Sequence, residues 1–299
     1  MAIEFAKKIM TAIPDDAISL DHKIRALWYH IEGSCDEGYV VYSLHGGAYV
    51  MGSAQMEMPL HSVWARSTKC TYFAINYRLA PRYHFPCALI DAISGYMHLL
   101  DKGIKSERIV IYGNSAGAGL TIALLMVARE LGLPMPAGAY LMSAWVDLTH
   151  SHESFAKNKK TDYLPEGTPK HYGYDTDDSQ FYAPNSELRN QYVSPIFASS
   201  FKGLPPVLIQ TGTAEQLFDE NVALAEKLAR ESGSFVNLET FQNQVHIFQL
   251  FDFLPCYKTS NITATEFIKA VTGRSSTNTK KSIRSDFGQD GKLIESKSL

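Results

Sequence analysis

The run Ile109-Val110-Ile111-Tyr112-Gly113-Asn114-Ser115-Ala116-Gly117 limits the fold more than any other part of this chain. A short apolar, β-branched stretch ends in Gly-x-Ser-x-Gly, and an alanine- and leucine-rich segment, Ala118 to Leu131, follows at once. Strand, tight turn and helix in that order make a nucleophile elbow, in which the serine takes strained backbone angles and its hydroxyl stands free at the tip. Glycine is needed at 113 and 117 because a side chain there would strike the neighbouring strand or helix. The free N–H groups of the helix start face whatever the serine attacks. Ser115 is therefore the candidate nucleophile for acyl transfer. The pentapeptide alone also fits a plain Gly-rich turn, so the rest of the chain has to supply an oxyanion hole, an acid and a histidine.

Val40 to Leu44 reads as a strand, and His45-Gly46-Gly47-Ala48 follows it. Glycines after a strand leave backbone N–H groups open toward a developing oxyanion. The candidate donors are the N–H groups of Gly46, Gly47 or Ala48, together with that of Ala116. Alanine at 48 keeps its N–H, and the hole survives if the backbone there does not need a positive φ. His45 reads as a brace for this loop.

Several segments together resemble a known family. They are His45-Gly46-Gly47-Ala48-Tyr49 with Gly52-Ser53, then Asn76-Tyr77-Arg78-Leu79-Ala80-Pro81, Phe85-Pro86 and Asp91-Ala92. The Gly113 to Gly117 elbow, Ala144-Trp145-Val146-Asp147-Leu148 and Val193-Ser194-Pro195 complete the set. Residues 38 to 255 resemble the hormone-sensitive-lipase-like (family IV) esterases, which include the arylacetamide deacetylases. The resemblance implies an α/β-hydrolase fold: a mostly parallel central sheet with helices on both faces and a small cap. It also implies that the elbow position held here by Asn114 is usually Asp, and that an acid usually stands where Arg82 does. The segment ahead of His45 is short by the family's measure. The N-terminal part of the cap is then small, or the start of the chain is incomplete.

In this fold the acid and then the histidine follow the serine in the chain. Pro206 to Gly212 reads as a strand, and the turn after it carries Glu215, at the position where the family has aspartate. Glutamate can orient an imidazole equally well. Asp219, one turn into the next helix, and Asp147, after the strand Ala139 to Ser143, are its rivals. His246 follows the strand-like Phe235 to Phe241, where the general base belongs. The expected triad is Ser115, Glu215 and His246. His84, His98, His150, His152 and His171 have no comparable context.

A net charge of −3 without a basic face gives no sign of nucleic-acid binding. With 299 residues, 45% of them hydrophobic, the chain suits one large α/β domain. That domain is expected over residues 1–272, with cap parts near 1–20 and 150–190, and a disordered Ser-, Lys-, Asp- and Gly-rich tail over 273–299. Residues 14–39 are expected to form a first pair of strands, one of them Ala26 to His30. Met1 to Ile13 reads as an amphipathic helix too short and polar to be a signal peptide or to insert stably in a membrane. Cys35, Cys70, Cys87 and Cys256 show no pairing pattern, which favours reduced thiols and a cytoplasmic location. The sequon at Asn261 would be idle there. Neither a metal-ligand motif nor a cofactor motif is present.

The expected chemistry is serine hydrolysis of small carboxylic esters, with no cofactor and no partner beyond the substrate and, optionally, a second copy in a homodimer. Two alternatives stand beside it. An amidase or deacetylase would use the same triad. Some relatives of this family instead bind small molecules without catalysis, having lost the histidine that His246 supplies here. Met51, Met56 and Met58 could line an apolar pocket near the serine or serve only as packing.

Overall fold

The computed structural model of the protein describes residues 23–30, 38–165, 167–275 and 281–299. The segment Met1 to Ile13, Cys35 and the whole cap part expected near residues 1–20 lie outside the described residues. One nine-stranded sheet organises the rest, in the order β1-β3-β2-β4-β5-β6-β7-β8-β9. The strands are β1 (Arg25–Tyr29), β2 (Val40–Leu44), β3 (Thr71–Asn76), β4 (Ile109–Asn114), β5 (Gly138–Met142), β6 (Val207–Gly212), β7 (Val236–Phe241), β8 (Ile283–Phe287) and β9 (Leu293–Ser298). β3 to β8 run parallel in the sheet, and β1 and β9 close its two edges antiparallel.

Every residue of β2, β4, β5 and β6 is buried, as expected for parallel strands covered on both faces. Alternate side chains feed two separate apolar layers. Ile109, Ile111, Leu141 and Ile209 pack toward α2 (Cys87–Asp101), α3 (Ala116–Glu130) and α5 (Phe218–Glu231), and the short α4 (Glu153–Lys157) lies against α5. Val110, Tyr112, Tyr140, Met142 and Leu208 pack toward α1 (Met58–Thr68) and α6 (Tyr257–Val271). Parallel pairing forces each connection between neighbouring parallel strands to cross over, so the carboxyl ends of β2 to β8 open on one rim.

One expectation changes, and another falls partly outside the described residues. Within residues 14–39 the described part contains one strand, β1, which pairs with β3. The tail expected to be disordered instead carries β8 and β9, which extend the sheet past β7. Phe287 stacks on Phe241 with ring centroids 4.9 Å apart, and Thr240 Oγ1 donates to Asp286 Oδ1 at 2.6 Å. The tail reads as disordered because β9 is an edge strand with all six residues exposed, so it has no apolar alternation to show. Cys70, Cys87 and Cys256 are buried and not bridged to one another. Asn261 sits inside α6, where its Oδ1 accepts the Trp64 indole N–H at 2.5 Å, a poor setting for a glycan. Among the described residues, no helix is long and apolar enough to cross a membrane.

Candidate active site

β4 ends at Asn114, and Ser115 follows with φ 51° and ψ −122°. The sequence forces this turn to be tight. A Cβ on Gly113 would lie 2.2 Å from the Gly117 carbonyl oxygen, and one on Gly117 would lie 2.0 Å from that of Leu44. The Ser115 backbone is tied down on both sides: its N–H donates to the Met142 carbonyl at 2.9 Å, and its carbonyl accepts from Trp145 N–H at 3.0 Å. A strained residue persists where its surroundings fix it this firmly.

The Ser115 hydroxyl meets His246 Nε2 at 2.9 Å. On the other side of the ring, His246 Nδ1 faces Glu215 Oε2 at 3.3 Å. Serine, imidazole and carboxylate lie in line, and the histidine and glutamate are almost fully buried. Burial pushes the Glu215 carboxyl above its ordinary range, against the pull of His246, the Gly212 N–H and the Ser143 hydroxyl. The two rival acids are engaged elsewhere. Asp219 Oδ2 accepts from Ser154 N–H at 2.8 Å. Asp147 accepts from the hydroxyls of Thr149 and Ser151 and lies 2.9 Å from His152 Nδ1.

The loop after β2 supplies the facing wall. Tyr77 stacks on His45 with ring centroids 4.1 Å apart and donates its hydroxyl to the His45 carbonyl at 2.6 Å. His45 Nδ1 contacts the Gly46 carbonyl at 2.7 Å, so His45 braces the loop. Burial lowers the His45 pKa, which favours the neutral ring. Of the expected donors, Gly46 needs correction: its N–H is committed to Glu57 Oε1 at 3.1 Å. The N–H groups of Gly47, Ala48 and Ala116 have no acceptor among the described residues. Ala48 does take a positive φ, 53°, and Tyr49 after it takes 62°. The Ala48 N–H is kept, but in a backbone that costs about 1–2 kcal/mol for an L-residue.

Three supporting side chains escaped the sequence reading. Ser143, just past β5 with φ 49°, donates to Glu215 Oε1 at 2.8 Å and accepts from Ile247 N–H at 3.0 Å. Asp162 accepts from Gln216 N–H at 2.8 Å and from His246 N–H at 3.0 Å, joining the acid loop to the base loop. Tyr163 donates to the His246 carbonyl at 2.6 Å. Ser143 had a legible signal, a hydroxyl at the carboxyl end of a central strand. Asp162 and Tyr163 lie in the aperiodic 150–190 segment and had none. Residues 158–163 thus act as a buttress beneath the acid and base loops.

The sheet order, the elbow on its central strand and the chain order of serine, acid and histidine define an α/β hydrolase. A family model described as the alpha/beta hydrolase fold matches residues 40–250. An acetyl-hydrolase of Streptomyces hygroscopicus is 32% identical over 265 residues, 87% of this chain and 84% of its own. An esterase of Acinetobacter venetianus is 33% identical over 227 residues, 74% of this chain and 71% of its own. The crystal structure of EstE7, a hormone-sensitive-lipase homologue from a metagenome library, superposes with a TM-score of 0.74 at 32% identity, covering 83% of this chain and 82% of that one. The esterase EstE5 soaked with p-nitrophenyl butyrate gives 0.74 at 30% identity, over 91% of this chain and 98% of that one. The chain belongs to the hormone-sensitive-lipase-like branch of the α/β hydrolases and is a carboxylic ester hydrolase.

Proposed function

We propose that Ser115, His246 and Glu215 form the catalytic triad of this esterase and that its substrates are small esters of short or medium acyl chains. The observation that carries the first part is the unbroken line from the Ser115 hydroxyl through both ring nitrogens of His246 to Glu215. Ser115 Oγ attacks the ester carbonyl while its proton passes to His246 Nε2. The negative charge moves to the carbonyl oxygen, within reach of the free N–H groups of Gly47, Ala48 and Ala116. Collapse of this intermediate breaks the ester bond. His246 returns the proton to the leaving alcohol, and an acyl-Ser115 ester remains. Water then attacks that ester by the same proton path, releasing the carboxylic acid and restoring Ser115. Glu215 keeps the proton on Nδ1 and stabilises the imidazolium.

The size preference has a structural motive as well as a sequence one. Met51, Met56 and Met58 are 62, 71 and 46% exposed, so they neither pack the core nor enclose a deep tunnel. Each methylene that finds apolar cover adds about 0.8 kcal/mol of burial until the cover ends. kcat/KM should therefore rise over the first few acyl carbons and then fall.

The test is a series of p-nitrophenyl esters from acetyl to palmitoyl, below their micelle concentrations, with fluorophosphonate labelling alongside. Ser115 should take the label, and Ser115→Ala should lose it and about 10⁴-fold or more of turnover. A folded Ser115→Ala variant with near-normal turnover would refute the triad. Rates that climb to the longest chains, with activation at lipid interfaces, would indicate a lipase instead.

A further inference from the structure

We propose that Glu57 is a positioning residue for the oxyanion loop, supplying from the turn before α1 the carboxylate that ties Gly46 to the elbow, with Asn114 as its amide partner. The proposal rests on the esterase reading of Ser115 and His246. Glu57 Oε1 accepts from Gly46 N–H at 3.1 Å and from the Asn114 side-chain amide. One oxygen thus touches the first glycine of the loop and the residue immediately before Ser115. Glu57 Oε2 faces His61 Nε2 at 3.3 Å and Ser43 Oγ at 3.4 Å. Asn114 donates further to the Tyr112 hydroxyl at 2.8 Å.

The consequence falls on the peptide that follows. Gly46 is held at its N–H by Glu57 and at its carbonyl by His45 Nδ1. In a trans peptide the N–H points opposite to the carbonyl, so fixing the Gly46 carbonyl also fixes the direction of the Gly47 N–H. The room is tight: a Cβ on Gly46 would lie 2.0 Å from Asn114 Oδ1. Burial alone would push the Glu57 carboxyl up, but its contacts with His61, Asn114 and the nearby His45 outweigh this and hold it below the ordinary range. The bond to Gly46 is then charge-assisted, about twice as strong as a neutral one.

The resemblance places an aspartate at the elbow where this chain has Asn114. A carboxylate at 114 would here meet Glu57 Oε1 across a buried contact, and two like charges so placed cannot both stay ionised. The amide at 114 and the carboxylate at 57 form a matched pair. Each is right only beside the other.

An exchange experiment on the full chain tests this, with p-nitrophenyl butyrate as substrate and a trifluoromethyl ketone as the probe that forms an oxyanion on Ser115. Glu57→Gln should lower kcat about 30-fold with KM within about threefold, and ketone affinity should fall in parallel with kcat/KM. Asn114→Asp alone should do similar damage. The double variant E57Q/N114D, which swaps amide and carboxylate, should recover to within about threefold of the parent. Thermal melting of each variant confirms that it is folded. A folded Glu57→Gln with parental kcat and ketone affinity overturns the proposal, as does one whose only change is a raised KM. A double variant no better than the worse single, or one that does not fold, also overturns it. If the parent itself neither hydrolyses the ester nor labels at Ser115, the esterase reading fails, not this one.

Discussion

Two Ser–His–Glu clusters lie among the described residues, and only one has the contact order of the proposed triad. At the rim, Ser115 is 2.9 Å from His246, which is 3.3 Å from Glu215. Beneath the proposed oxyanion loop, Ser43 is 2.9 Å from His61, which is 3.3 Å from Glu57. The distances match, and the wiring differs. His246 uses one ring nitrogen for the serine and the other for the carboxylate, so a proton arriving on Nε2 leaves an Nδ1–H aimed at a negative charge. His61 makes both contacts through Nε2, and its Nδ1 has no partner among the described residues. A ring wired in that way cannot relay. Ser43 also sits inside β2 with its side chain covered, whereas Ser115 stands on a strained turn beside three free N–H groups. Residue types and distances do not make a triad without the order of contacts around the ring.

The largest effect that can break this comparison comes from the carboxylates. Glu215→Gln should cut kcat by about 10³–10⁴-fold, because an amide at that place favours the wrong tautomer of His246. Ser43→Ala, in the second cluster, should keep kcat within a few-fold of the parent. Asp219→Asn and Asp147→Asn should alter melting more than turnover, since their partners are Ser154 and the Thr149–His152 turn. Steady-state kinetics with thermal melts on all four variants decides the matter. A dead Asp219→Asn beside a near-normal Glu215→Gln would move the acid role into the first turn of α5.

A third buried carboxyl sharpens the comparison because it has no imidazole. Glu239 on β7 accepts from Thr263 Oγ1 at 2.6 Å and Gln210 Nε2 at 2.8 Å, both neutral. Burial therefore prevails over these hydrogen bonds and pushes its pKa up to about 7. Glu57, with His61 beside it, is held below the ordinary range instead. The sign follows from linkage. A carboxyl raised in the folded state binds its proton more tightly there, so its contribution is whole below about pH 4.5 and is lost as pH rises through about 7. Glu239→Gln should remove this loss, at most about 3 kcal/mol, so the variant gains on the parent between pH 5 and 8. Chemical denaturation at both pH values measures it. A gap between variant and parent that does not change with pH would show that Glu239 is not the group titrating.

The legible parts of the site were those that backbone geometry imposes on sequence. The elbow needs two glycines and a small residue after the serine, and the chain order then places Glu215 and His246 after their strands. These requirements leave marks in a linear chain. The supporting contacts leave fewer. Glu57 reaches the loop across 11 residues from Gly46 and 57 from Asn114, and only the odd amide at 114 hinted that a carboxylate had to come from elsewhere. Asp162 lies in an aperiodic insertion, where no pattern separates a buttress from a lid. The terminal hairpin was missed because a polar edge strand resembles a disordered tail in composition. Its aromatic anchor, Phe287, reveals itself only when stacked on Phe241.

The smallest expected effect compares two strained places, one on the elbow and one on the loop after β2. Ser115 has φ 51° and Ala48 φ 53°, both in the region that suits glycine better than an L-residue. At Ser115 the side chain is the proposed nucleophile, so the strain cannot be removed without removing the chemistry. At Ala48 only the N–H has a proposed role, and the methyl is exposed, so it contributes little packing. Ala48→Gly should relieve about 1 kcal/mol of backbone strain, partly offset by the greater freedom of glycine in the unfolded chain. The net result should be a melting temperature unchanged or raised by about 1–2 °C, with kcat within about threefold of the parent. A clear fall in kcat at unchanged stability would mean that the Ala48 methyl stiffens the donor loop. The strain at 48 would then belong to the same functional design as the strain at 115.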